Sequence, residues 1–247
     1  MAGLSAERQE SGVVKAIKDA VRKNKGNPIT IIAGKTEITG VVDAKKYGGR
    51  QISGSEPYTD VVLYYMDGKK KNQINLSLKG EAAPSLAGGG LRGLETIIPG
   101  IAEKFMTEAY EHLTKKEQLN PGDKVPDIYG KISNKDKKKI VVGNKNMGGP
   151  IDYMYIGEMN VRSHYDEENN VLSFQNGSLT DSETYAKTHE LFFRLRARRE
   201  DQRFDPDAKD NKGVPKIYGK SPSKGDSAGR IVVTDSVPRN ASIIKMT

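Results

Sequence analysis

The sequence predicts an α/β protein, with a mixed central sheet flanked by helices in residues 1–120 and a β-rich, basic region in residues 121–247. Three observations carry this expectation. The chain opens on an amphipathic helical pattern, continues in alternating strand patterns about an Asp-Gly turn, and ends in short strand-like runs that contain a repeated motif.

Residues 5–24 place Val13, Val14, Ile17, Ala20 and Val21 on one stripe, which predicts the first helix, with Glu10 near its start. Residues 29–42 supply early strands. Residues 59–66 (TDVVLYYM) are rich in Val, Leu and Tyr, and residues 73–79 (QINLSLK) alternate Ile74, Leu76 and Leu78 with Asn75, Ser77 and Lys79. Asp67-Gly68 between these two runs is a hairpin signal, and a turn near Gly68 or Lys69 sets Asp60 opposite residues 77–79. Side chains alternate across a strand, so Ser77 and Lys79 share a face while Leu76 and Leu78 point to the core. Gly88-Gly89-Gly90 then reads first as a plain connector, with a backbone open enough to approach a phosphate as the alternative. Pro99 is tolerated at a first helical position, so residues 100–118 read as the next helix. Asn120-Pro121-Gly122-Asp123 ends it and marks the exit from the first module.

An acid and a lysine facing each other on adjacent strands suit phosphodiester hydrolysis. That reaction needs a divalent cation on hard oxygen ligands, a water made nucleophilic at neutral pH, and positive charge against the developing phosphorane. The order of helix with Glu10, strand, strand led by Asp60, strand closing on Ser77-Leu78-Lys79, and then helix resembles the PD-(D/E)XK nuclease superfamily. The resemblance covers roughly the first half of the chain and implies a restriction-endonuclease-like mixed central sheet flanked by helices. It also implies Mg2+-dependent cleavage of DNA, with Mn2+ as a substitute, RNA as a lesser substrate, and a homodimer where both strands are cut. Asp60 becomes a metal ligand, Lys79 positions the water, and Glu10 orients water or a second metal. Ser77 stands where the family usually has an acid. Some members with this Ser-X-Lys variant recover the carboxylate from the following helix, which makes Glu95 the expected second ligand ahead of Glu103 and Glu81.

The second half carries an internal echo. Val125-Pro126-Asp127-Ile128-Tyr129-Gly130-Lys131 recurs as Val214-Pro215-Lys216-Ile217-Tyr218-Gly219-Lys220, and each copy leads through a charged turn to Ile140-Val141-Val142 or Ile231-Val232-Val233. Each unit reads as strand, polar loop, strand. The loops offer Lys135, Lys137, Lys138 and Lys139 in the first copy and Lys220 and Lys224 in the second, with Arg230 entering the return strand, as candidate phosphate contacts or, equally, ordinary solvated turns. Between the copies, Thr180-Asp181-Ser182-Glu183 starts a short helix through about His189. Residues 191–199 (LFFRLRARR) alternate Phe193, Leu195 and Ala197 with Arg194, Arg196 and Arg198. As a strand, the preferred form, this run presents arginines about 7 Å apart; as a helix it would place Arg194 and Arg198 together, and in either form it is a basic ridge and the leading nucleic-acid contact.

Forty Lys and Arg against 32 Asp and Glu give a formal charge of +8, which favours polyanionic partners through counterion release. The absence of cysteine excludes disulfide scaffolds, thiolate zinc sites and cysteine nucleophiles. His112, His164 and His189 form no metal-ligand pair at helical spacing. No apolar run has the length of a membrane span and the start lacks signal-peptide regions, so the expectation is a soluble, cytoplasmic protein without a membrane partner. Gly34-Lys35-Thr36 lacks the first glycine of a phosphate-binding loop, and Tyr155-Ile156-Gly157 lacks its partner tripeptide for a GIY-YIG nuclease. Asp43-Ala44-Lys45 is a competing D-X-K tripeptide with no strand-initiating acid at the usual distance. The alternative function is a non-catalytic basic nucleic-acid-binding or virion-associated structural protein. A saccharide- or protein-binding β-module is disfavoured by 6% aromatic residues with no Trp.

Overall fold

The structure is a computed structural model that describes residues 3–49, 57–81, 90–225 and 229–246. In chain order its elements are α1 (Gly3–Lys23), β1 (Ile29–Ala33), β2 (Thr36–Lys46), β3 (Val61–Asp67), β4 (Lys70–Gly80), α2 (Gly90–Ile97) and α3 (Ile101–Lys115). There follow β5 (Ile128–Lys131), α4 (Asn134–Val142), β6 (Tyr153–Asp166), β7 (Val171–Asp181), α5 (Ser182–Thr188), β8 (Phe192–Ala197), β9 (Gly229–Thr234) and β10 (Ser242–Ile244). This is an α/β protein with mixed sheets flanked by helices. Among the described residues no helix is long and apolar enough to cross a membrane.

Two compact units share the chain: Met1–Pro84 with Val141–Thr188, and Ser85–Ile140 with His189–Thr247. The expected single boundary at residue 120 is therefore not where the units divide. The second unit takes residues from both sides of it, because β5 of one stretch pairs with β8 of the other.

In the first unit β1, β2, β3 and β4 form an antiparallel meander, β6 joins β4 in parallel, and β7 pairs antiparallel with β6. β7 then runs parallel to β1, so the sheet closes into a barrel in the order β1-β2-β3-β4-β6-β7. The sequence reading of a central sheet did not include this closure. Its physical basis is strand length and bulging: β6 and β7 are 14 and 11 residues long, and the ladders shift register at Val41/Asp43 and at Gly157/Arg162. Alternate residues face inward, among them Ile29, Ile31, Ala33, Leu63, Leu76, Leu172 and Phe174. Val13, Ile17 and Ala20 of α1 pack into the same core, as the helical stripe required.

Gly40 marks the bulged part of β2. Its φ is 76°, and a Cβ there would lie 2.7 Å from the Met66 carbonyl oxygen, a backbone atom that cannot swing away. Gly40→Ala is expected to lower stability by about 2 kcal/mol or more, read as a fall in the urea midpoint; an unchanged midpoint would show that the bulge tolerates a side chain.

The second unit holds a four-stranded sheet in the order β10-β5-β8-β9, with β10 parallel to β5 and the other pairs antiparallel. Buried Ala102, Phe105, Met106, Ala109 and Leu113 line one side of α3, and the Phe105 and Phe193 rings meet at 5.6 Å. The predicted helix over 100–118 is observed as Ile101–Lys115.

The echo in sequence is not an echo in structure. The first copy forms β5, but Ile140-Val141-Val142 ends helix α4 rather than a strand. Ser133 explains this, since its hydroxyl accepts the Asp136 amide at 3.2 Å and donates to the Asp136 carboxylate at 2.7 Å, the cap that starts a helix. The second copy contributes only the isolated bridges Lys209–Pro215 and Phe204–Tyr218, with Ile217 at a φ of 68° interrupting extended backbone. Its return run, Ile231-Val232-Val233, is strand β9 as expected. Asp181 caps α5 by accepting the Thr184 amide at 2.7 Å.

Candidate functional site

The Asp67-Gly68 signal makes a two-residue turn between Asp67 and Lys70, and the β3–β4 ladder pairs Val61 with Leu76. One step further, the Asp60 amide donates to the Leu76 carbonyl at 2.8 Å and the Asp60 carbonyl accepts from the Tyr47 amide at 2.9 Å. Asp60 is thus fixed between the ends of β2 and β4, opposite Ser77. Its Oδ2 accepts from the Leu78 amide at 2.6 Å and from Ser77 Oγ at 3.2 Å. Lys79 Nζ lies 3.8 Å from the same oxygen. The side chains of Asp60 and Lys79 are 22% and 19% exposed, buried enough to strengthen their interaction yet open to a ligand. Leu76 and Leu78 enter the core while Ser77 is buried on the other side of the strand.

Glu10 arrives from α1. Burial, and then the charge of Asp60, hold its carboxyl above the usual carboxylate range, while Lys46 pulls the other way with Nζ 3.4 Å from Oε2. Two acids and two lysines therefore meet at the rim of the barrel where β2 and β4 end, beside the N-terminal half of α1. Gln9 secures the helix there. Its side chain is 2% exposed, and Nε2 donates to the carbonyls of Lys79 at 3.1 Å and Gly157 at 3.0 Å. Sequence reasoning missed Gln9 and Lys46. Gln9 did leave a signal, since it stands four residues before Val13 and eight before Ile17, a polar group in line with the buried stripe.

Glu95, the expected second metal ligand, belongs to the second unit. Its Oε2 accepts the Gly100 amide at 2.7 Å and its Oε1 the Ala102 amide at 2.6 Å, so both oxygens cap the start of α3. An acid at a helix N-terminus relieves amides that have no partner within the helix. Glu103 lies in α3 of the same unit and Glu81 is exposed just beyond β4. Among the described residues no group of three or more His, Cys, Asp and Glu is placed to hold a metal ion. Residues 88 and 89 of the glycine connector lie outside the described residues, and Gly90 begins α2.

The expected row of arginines is uneven. β8 is a strand, but Arg194 forms an ion pair with Asp127 at 2.6 Å and stacks over the Tyr129 ring at 5.8 Å. It is committed within the second unit, whereas Arg196 and Arg198 are exposed. Arg230 lies opposite Arg196 on β9, and its side chain falls outside the described residues. Lys137 is 8% exposed and donates to the His189 carbonyl at 2.8 Å, so it is a buried tether rather than a phosphate contact. Lys138, Lys139 and Lys224 are exposed, with Lys139 Nζ 3.5 Å from Asp136. A further residue missed in the sequence is Gln202, whose Oε1 accepts the amides of Arg198 and Arg199 and stops β8 after Ala197.

No protein-family model matches the chain, and no curated protein or solved structure matches it.

Proposed function

We propose that the first unit is a metal-dependent DNA endonuclease of the restriction-endonuclease-like kind, hydrolysing phosphodiester bonds at the rim formed by α1, β2 and β4. The observation that carries this reading is the Asp60 carboxylate, held by Ser77 Oγ and the Leu78 amide beside Lys79 Nζ, with Glu10 near enough to feel its charge. The order of helix, antiparallel strands, acid, Ser-X-Lys and a further strand parallel to β4 is consistent with it.

The available donors are all oxygens, which suits a hard cation such as Mg2+ or Mn2+ that keeps several of its waters. Asp60 and Glu10 would hold it, with the Ser77 hydroxyl beside them; Glu95 has its oxygens engaged by α3 and receives no part. Bound there, the cation supplies an acidified water and a counter-charge for the phosphorane. Lys79 places a second positive charge 3.8 Å from Asp60, where it orients the attacking water and offsets charge on the phosphoryl oxygens. Lys46, 3.4 Å from Glu10 Oε2, restrains that carboxylate.

The test is nicking of supercoiled plasmid in Mg2+ or Mn2+ against the same reaction in EDTA, with retention of DNA measured in parallel. Lys79→Ala is expected to slow cleavage about a hundred-fold or more with retention unchanged. A wild-type protein that retains DNA but cleaves none with either cation would sink the nuclease reading. The second reading, a non-catalytic basic nucleic-acid-binding or virion-associated structural protein, would then stand. It is favoured by Ser77 in the acid's position.

A further inference from the structure

The outer wall of the β2–β3–β4 ribbon carries another constellation, which the rim does not use. Tyr64 on β3 stands opposite Asp43 on β2 and Gln73 on β4. Lys45 Nζ lies 5.1 Å and Lys71 Nζ 4.6 Å from the centre of the Tyr64 ring. With Asn72 these residues line an open hollow on the barrel. Lys69 and Lys70 are exposed on the adjoining turn. The acids nearby are Asp67 on that turn and Asp43, which also lies 4.0 Å from Lys18. Lysines outnumber acids across the patch, so its field attracts an anion.

An outward-facing tyrosine bracketed by two ammonium groups adds nothing to the barrel core. It does match what a single strand of nucleic acid needs: a ring on which one base stacks and cations that turn to the flanking phosphates. Bases inside a duplex are already stacked on one another and do not present a face to such a ring. We propose that Tyr64, Lys45 and Lys71 form a contact site for single-stranded nucleic acid on the outer wall of the first unit. Tyr64 lies four residues along the strand direction from Asp60 and on the same side, roughly 13 Å away. Val62, between them on that face, is 3% exposed, so the two places are separate on the wall and binding at Tyr64 does not rest on the nuclease reading.

The experiment is fluorescence anisotropy with a labelled oligothymidine of about 12 nucleotides, in EDTA so that retention alone is read, with thermal melting to confirm folding. Tyr64→Ala is expected to weaken binding about tenfold, and Tyr64→Phe, which keeps the stacking face, to stay within about twofold of wild type. The double variant Lys45→Gln with Lys71→Gln is expected to reduce the slope of log affinity against log salt by about 1.4. No binding by the wild type, or unchanged binding in all variants, overturns the site. Equal loss in Tyr64→Ala and Tyr64→Phe overturns stacking, and an equal dependence on Tyr64 for a blunt duplex of the same length overturns the single-strand assignment. Because retention is read without cleavage, failure of the plasmid assay and failure of this site are told apart.

Discussion

Asp60→Asn is expected to abolish divalent-dependent DNA cleavage, a loss of about a thousand-fold or more, while leaving the fold and the retention of DNA intact. The choice of asparagine follows from the geometry. Asp60 Oδ2 satisfies the Leu78 amide at 2.6 Å and Ser77 Oγ at 3.2 Å. Alanine would strand both donors at a cost of about 1–3 kcal/mol and confuse lost chemistry with lost structure. Asparagine keeps an acceptor oxygen and removes only the charge that a cation requires. The measurement is the rate of plasmid nicking in Mg2+, with the melting temperature as control. Cleavage at the wild-type rate in a folded Asp60→Asn protein would remove the rim from the mechanism.

Ser77→Asp tests the same site from the opposite direction. Ser77 is 2% exposed and its Oγ is 3.2 Å from Asp60. A carboxylate placed there would be buried against another, with Lys79 as partial compensation. In EDTA the variant is expected to be about 3 kcal/mol less stable than wild type. If the rim is built for a cation, Mg2+ restores most of that stability and binds at least about tenfold tighter than to wild type, since a hard ligand has been added to the set. The measurement is denaturant unfolding with and without Mg2+. Destabilisation that Mg2+ does not relieve would count for the structural reading of the protein.

Much of the rim was legible in the sequence because it depends on short-range rules. The Asp-Gly signal fixed the turn, period-two alternation fixed the faces, and together they placed Asp60 against Ser77 and Lys79, the arrangement found. The stripe through Val13, Ile17 and Ala20 likewise predicted the buried side of α1. Barrel closure was not legible, since it rests on β7 pairing with β1 across most of the chain and on bulges that leave only glycines as a trace. Lys137 was read by its charge, though its place in the helix with Ile140 and Val141 puts it at the spacing of their buried face. The run Ile140-Val141-Val142 looked like a strand by composition, and the Ser133–Asp136 cap decided otherwise. Glu95 was read as a ligand from the family pattern, whereas the nearby start of α3 claims it.

The parallel seam between β4 and β6 joins residues on either side of the stretch that builds part of the second unit. A polypeptide emerging from the ribosome must therefore hold β1 to β4 as an unfinished meander until β6 and β7 appear. A truncation after residue 120 would leave β1 and β4 as bare edges, each a template for another chain. Such a fragment would aggregate rather than act as a minimal version of the protein.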